Sequence, residues 1–177
     1  MRILKIAFFL LLSTQFYAQN KNYSVSAIPN DLTENANSVV RSNQTTIDIE
    51  SRKSMIITTK RVVTILNEKG IESMDAAAYF SNKSKIKSIE ALILNKDGVE
   101  IKKIKRRDFK ENSVSEGSII TDNKLLSLDY TPVMYPFTLV FESVTETSNT
   151  AFIPAWYPIE HLYESVESSS LSINYLP

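Results

Sequence analysis

The stretch "ILNEKGIE" at residues 65–72 returns, almost letter for letter, as "ILNKDGVE" at residues 93–100. A chain of 177 residues with only three glycines places two of them here. Asn and Asp tolerate left-handed backbone, and glycine adopts it at no steric cost, so each octapeptide predicts a turn. An apolar, β-branched run precedes each one: "MIITTKRVVTIL" at 55–66 and "SIEALIL" at 88–94. A shorter run follows each, "IES" and then "VEIKKI". Strand, glycine turn and strand is the hairpin signal, so two hairpins are expected, bending at residues 67–70 and 95–98. No third copy follows, which argues against a stacked repeat array.

Alternation extends this reading. In "TTIDIE" (45–50), Ile47 and Ile49 share one face while Asp48 and Glu50 share the other. In "FTLVFESV" (137–144), Phe137, Leu139 and Phe141 share one face. Period-two patterning of this kind describes a sheet with one buried face. Residues 55–66 are apolar on both sides in places (Ile56-Ile57, Val62-Val63), which predicts a central strand. Helix signals are few. "IPNDLT", with Pro29 leading Asn30, Asp31 and Leu32, suits a single helical turn. "MDAAAYF" fits a strand carrying Ala76, Ala78 and Phe80. "KRRDFKENSVSEGS" (105–118) is polar and reads as a loop. Many short strands and little helix predict a mainly β chain, an antiparallel two-sheet β-sandwich.

The first residues set the compartment. Arg2 and Lys5 precede an apolar core from Ile6 to Leu12, and Ala18-Gln19 follows small and polar residues. This is the layout of a secretory signal peptide over residues 1–18. The apolar run is shorter than the roughly 20 residues a membrane helix needs. The expectation is an exported protein of the periplasm, outer cell surface or medium, with residues 19–177 as one β domain and no membrane span after cleavage. The chain carries 20 basic and 20 acidic residues; without Arg2 and Lys5, 18 face 20, a net charge of −2. That balance gives no reason to expect nucleic acid as a partner. There is no cysteine, so stability must come from a packed core.

Read together, "NANSVVRSNQTTIDI", "KRVVTILNEKGIE", "IKSIEALILNKDGVEIKKIKRRDF" and "PFTLVFESV" followed by "IPAWYP" resemble the extracytoplasmic family called domain of unknown function 3857 (DUF3857). The resemblance covers residues 28–177, and it lies in the order and spacing of these elements. It implies a mostly β domain that commonly stands before a transglutaminase-like domain carrying a Cys-His-Asp triad. A chain without cysteine does not hold that triad. The last residues, "SLSINYLP", read as strand, so by the family pattern the domain is expected to be incomplete at its C-terminal end.

Residues that carry chemistry are sparse. His161 is the single histidine, and a triad with Ser165 or Ser168 can be written on paper. No Gly-x-Ser-x-Gly elbow supports it, so a surface histidine is the better reading. One histidine and no cysteine leave little for a metal, and Asp97 in "NKDGVE" lacks the spacing of a calcium loop. No catalytic, metal-binding or cofactor-binding residue is therefore expected. Two stretches suit a ligand or partner surface. Lys102, Lys103, Arg106 and Arg107 form a basic run, either a docking patch or a solvated strand end that discourages edge pairing. Tyr135, Trp156 and Tyr157 lie in an aromatic, proline-rich stretch suited to a sugar or peptide platform, or to sealing the end of the sandwich. The expected role is a non-catalytic accessory or interaction module. Its expected partner is a downstream transglutaminase-like domain or an envelope protein or glycan. The alternatives are the front part of a papain-like transglutaminase or peptidase, and a glycan-binding module.

Overall fold

The computed structural model describes residues 23–114 and 122–175; the leader read at residues 1–18 lies outside them. Ten strands follow in chain order: β1 (Ser38–Ser51), β2 (Ser54–Ile65), β3 (Ala77–Phe80), β4 (Ser84–Leu94), β5 (Glu100–Lys105), β6 (Lys110–Ser113), β7 (Lys124–Ser127), β8 (Phe137–Thr147), β9 (Glu164–Val166) and β10 (Ser169–Tyr175). They form a larger sheet in the order β10-β1-β2-β8-β4-β5, with β9 also on β1, and a smaller sheet in the order β3-β7-β6. Pairing is antiparallel except at β1, which β9 and β10 join in parallel. The chain is mainly β, as its alternation predicts, and the one α-helical turn among the described residues, Asn30–Thr33, falls after Pro29.

One core lies between the sheets. The larger sheet supplies Val40, Val63, Ile65, Phe137, Leu139 and Phe141; the smaller supplies Ala78 and Leu126. Burying such side chains contributes about 1.5–3 kcal/mol each, enough to hold a domain without disulfides. Ile86 and Ile89 of β4 both enter this core although three positions apart. A register shift between Ile86 and Ser88 turns the strand by one residue and brings both to one face. The opposite face of the sheet buries Val62, Leu94 and Val140 beneath Tyr23 of the amino-terminal segment. That segment is tied on by the Val25 N–H donating to the Lys96 carbonyl at 2.8 Å. β2 lies between β1 and β8, the interior position its two-sided apolar pattern predicts.

Two expectations need correction. Residues 95–98 do turn a hairpin from β4 to β5, with Gly98 at φ 80°. Residues 67–70 do not: Asn67 caps a 3₁₀ helix, Glu68–Met74, that carries the chain from the larger sheet to the smaller. Within the stretch read as a loop, Lys110–Ser113 is a strand paired to β7. All four of its residues are exposed, so it has no alternation to read.

Candidate functional site

A cleft of about 640 Å³ opens where the smaller sheet stops short of covering the larger one. Its floor is the core-facing side of β1, β2 and β8. Asn43, Arg61 and Phe141 form a row across the three strands, and Thr45 pairs with Thr59 one step along. On β2 the residues in phase with the buried Val63 and Ile65 are Arg61 and Thr59, so the inner face changes from apolar to polar at the cleft. One wall is Ala77 and Tyr79 of β3. The other is residues 155–161 of the long connection from β8 to β9, including Trp156, Tyr157, Ile159, Glu160 and His161.

Arg61 organises the cleft. It is 4% exposed. Its Nη1 donates to the Ser73 carbonyl at 2.6 Å, and its Nη2 donates to Glu164 Oε2 at 3.1 Å. The Glu164 side chain is only 1% exposed, so this ion pair is buried and linked by hydrogen bonds to the backbone. Glu164 Oε1 in turn accepts from the Glu160 N–H at 3.3 Å. One guanidinium thus joins β2, the end of the 3₁₀ helix and the start of β9. Arg61 Nε is buried and has no acceptor among the described residues.

At the rim, Asp75 ends the 3₁₀ helix in left-handed backbone, φ 31°, a conformation Asp tolerates. Its carboxylate meets His161 Nε2 at 2.5 Å. That hydrogen bond raises the His161 pKa above the ordinary imidazole value, against the opposing effect of burial. Burial also raises the Glu160 pKa; the attraction of Arg61 opposes it, and the charges of Asp75 and Glu164 add to it. Oxygen and nitrogen atoms of Asp75, Glu160 and His161 lie within 4.8 Å of one another, a set that could gather around a cation. Arg61 Nη2 lies 3.9 Å from Glu160 Oε2 and opposes that use with a fixed positive charge.

The structure sorts the residues singled out from the sequence. Trp156 and Tyr157 line the cleft, and the Trp156 indole N–H donates to Ser169 Oγ at 3.2 Å. Tyr135 is elsewhere, packed on Phe137 with ring centroids 5.7 Å apart. The basic run is exposed and divided. Lys103 pairs with Glu90 at 3.2 Å, and Lys102 sits over the Tyr130 ring. Arg106 donates to the Ile86 carbonyl, and Arg107 lies 3.7 Å from Asp108. Successive residues of a strand face opposite ways, so Lys102 and Lys103 do not share a patch. His161 bonds Asp75, whereas the Ser168 hydroxyl donates to the Arg41 carbonyl. Sequence reasoning missed Arg61. An arginine in phase with Val63 and Ile65 was its signal.

Among known proteins, the family described as "Domain of Unknown Function with solved-structure structure (DUF3857)" matches residues 51–177. A crystal structure from Parabacteroides distasonis ATCC 8503, described as that of a "putative protease", shares the fold with a TM-score of 0.54 at 14% identity. The likeness covers 78% of this chain and 29% of that one. No curated protein matches the chain. Among the described residues no helix is long and apolar enough to cross a membrane.

Proposed function

The chain belongs to the DUF3857 family, and from that premise we propose that it is a non-catalytic binding module of an exported protein, serving a transglutaminase-like or protease-like catalytic domain. One observation carries this reading: an apolar, aromatic strap lies exposed beside the cleft. On it Phe152 is 74%, Tyr157 62%, Ile159 63% and Leu162 89% exposed. Apolar surface gathered in this way marks an interaction site rather than ordinary surface scatter. The likeness to a larger protein described as a "putative protease" supports a catalytic partner, and the amino-terminal leader supports export.

The test is binding between this domain and a Cys-containing transglutaminase-like domain encoded with it or beside it. Calorimetry is expected to show association, weakened at least tenfold by Ile159→Asp with Leu162→Asp. The absence of any such domain from the gene and its neighbours, or association indifferent to the double variant, would sink the proposal. A glycan-binding reading has one observation in its favour. Trp156 and Tyr157 stand over a floor of Asn43, Thr45 and Thr59, which is flat rings beside amide and hydroxyl groups. Glycan-array binding lost on Trp156→Ala would favour it.

A further inference from the structure

We infer that the cleft is a peptide groove, in which an extended segment of a partner protein adds a fourth strand to the smaller sheet along the free edge of β3. The inference rests on reading the domain as a binding module and names what it binds.

The hydrogen-bond phase of β3 is fixed at both ends. Leu128 N–H donates to the Ala76 carbonyl at 2.9 Å, so Ala76 faces β7. Ser81 and Ser84 exchange bonds on the opposite side, at 3.0 and 3.4 Å. In an antiparallel strand the direction alternates residue by residue. Ala78 and Phe80 therefore turn their backbone groups to β7, while Ala77 and Tyr79 turn theirs away. The chain that could have met them leaves. After the single bridge between Ser81 and Ser84, β4 departs to pair with β8 and β5 in the larger sheet. Among the described residues no strand occupies this edge, and Ala77 and Tyr79 both line the cleft.

The edge also lacks the usual guards. Natural sheets protect free edges with charges, prolines or bulges. The edge strand β5 carries Glu100, Lys102, Lys103 and Lys105, and the edge strand β6 carries Lys110 and Glu111. β3 reads Ala-Ala-Tyr-Phe, without a charge or a proline.

The space fits the same occupant. A strand residue in a packed two-sheet protein fills roughly 160 Å³, the product of its rise with the strand and sheet spacings. A cleft of about 640 Å³ thus holds about four residues, the length of β3. A peptide laid there would cross the row of Asn43, Arg61 and Phe141, and Arg61 Nε lacks an acceptor. Asp75 and Glu160 at the rim disfavour an acidic peptide. Strand addition of this kind takes its affinity from main-chain bonds and its specificity from alternate side chains.

Proline separates this mode from simple side-chain contact. Because the Tyr79 N–H points away from β7, Tyr79→Pro removes a free donor and leaves the ladder whole. The probe is a phage library of random heptapeptides panned on the whole protein, followed by synthetic peptides of the selected sequences. Selected peptides are expected to bind, and Tyr79→Pro or Ala77→Pro is expected to weaken them about tenfold, the worth of one such bond. N-methylation at alternate peptide nitrogens is expected to do the same, and methylation at the intervening nitrogens to leave affinity unchanged. The methylation pattern is read on the unaltered protein, so it decides the matter even if a proline variant unfolds. Selection of no peptide, a flat methylation pattern, or unchanged affinity for a folded Tyr79→Pro protein would overturn the inference; the last would point to the other uncharged edge, β10. Catalytic-domain binding that persists without peptide binding would leave the proposed function standing and remove only this mode.

Discussion

The two octapeptides differ in three of eight positions, yet one returns the chain to its neighbour and the other sends it across the molecule. In the second, Asn95 Oδ1 accepts from the N–H groups of Asp97 and Val99, at 2.9 and 3.0 Å. Gly98 supplies the left-handed residue, and β5 folds back on β4. In the first, Asn67 Oδ1 accepts from the Lys69 N–H at 3.0 Å and starts a 3₁₀ helix. Gly70 is not there for left-handed backbone. A Cβ on it would sit 2.2 Å from the carbonyl oxygen of Asn37, which already accepts from the Leu66 N–H at 2.9 Å. One glycine answers a dihedral angle and the other a close approach. The hairpin is held by its own residues, whereas the crossing is held by the rest of the fold.

The crossing should therefore be the more fragile to distant changes, and Arg61 is the first place to break it. Arg61→Met strands Glu164 in the core and frees the Ser73 carbonyl, so a loss of about 3–5 kcal/mol is expected in urea unfolding. Adding Glu164→Gln should recover part of that loss. A cost below about 1 kcal/mol would show that the crossing does not depend on the buried pair.

The two glycines come next. Gly70→Ala drives a methyl into backbone that cannot swing aside, so a cost of about 3 kcal/mol is expected. Gly98→Ala faces a left-handed dihedral and a Ser24 nitrogen 3.0 Å from the new Cβ, and about 1–2 kcal/mol is expected. Gly98→Asn should cost less than Gly98→Ala, because Asn tolerates that conformation. At Gly70 the order should reverse, because there only size matters. Equal ranking at both positions, read from unfolding midpoints, would erase the distinction between the two glycines.

Legibility in the sequence divides along the same line. The hairpin, the inward row of Phe137, Leu139 and Phe141, and the interior place of β2 depend on neighbours in sequence, and alternation displays them. The crossing depends on the residues after its glycine. Ile71 and Met74 pack on the core three positions apart, which is helical spacing, whereas Val99 and Ile101 after the second glycine alternate with Glu100 and Lys102 as a strand does. The floor of the cleft was the least visible part. Arg61 and Glu164 are 103 residues apart, and Asp75 and His161 are 86 apart. No local pattern announces partners brought together by sheet order. The parallel pairing of β9 and β10 is hidden for the same reason, since both join β1 across more than a hundred residues, although residues 170–175 of β10 do read as strand.

The smallest expected effect concerns the carboxyl end of the crossing, where Asp75 holds His161. At its bend, residues 95–98, the hairpin has the exposed Lys96–Asp97 pair at 3.4 Å and no histidine, so a histidine titration at the crossing sharpens the contrast. The His161 pKa is raised in the folded protein, chiefly by its hydrogen bond to Asp75. Its contribution is then complete below the unfolded imidazole value of about 6.5 and is lost as pH rises through the folded value. Glu160 is raised too, mainly by burial, and its contribution is likewise lost as pH rises, through a lower range. Unfolding free energy should accordingly fall in two steps as pH rises, the upper one lying above pH 6.5 and worth under about 1 kcal/mol. His161→Gln should abolish the upper step and keep the lower. If the unaltered protein is equally stable on both sides of the upper range, or if His161→Gln leaves that step in place, Asp75 and His161 do not clamp the crossing, and its left-handed end is held by backbone and Arg61 alone.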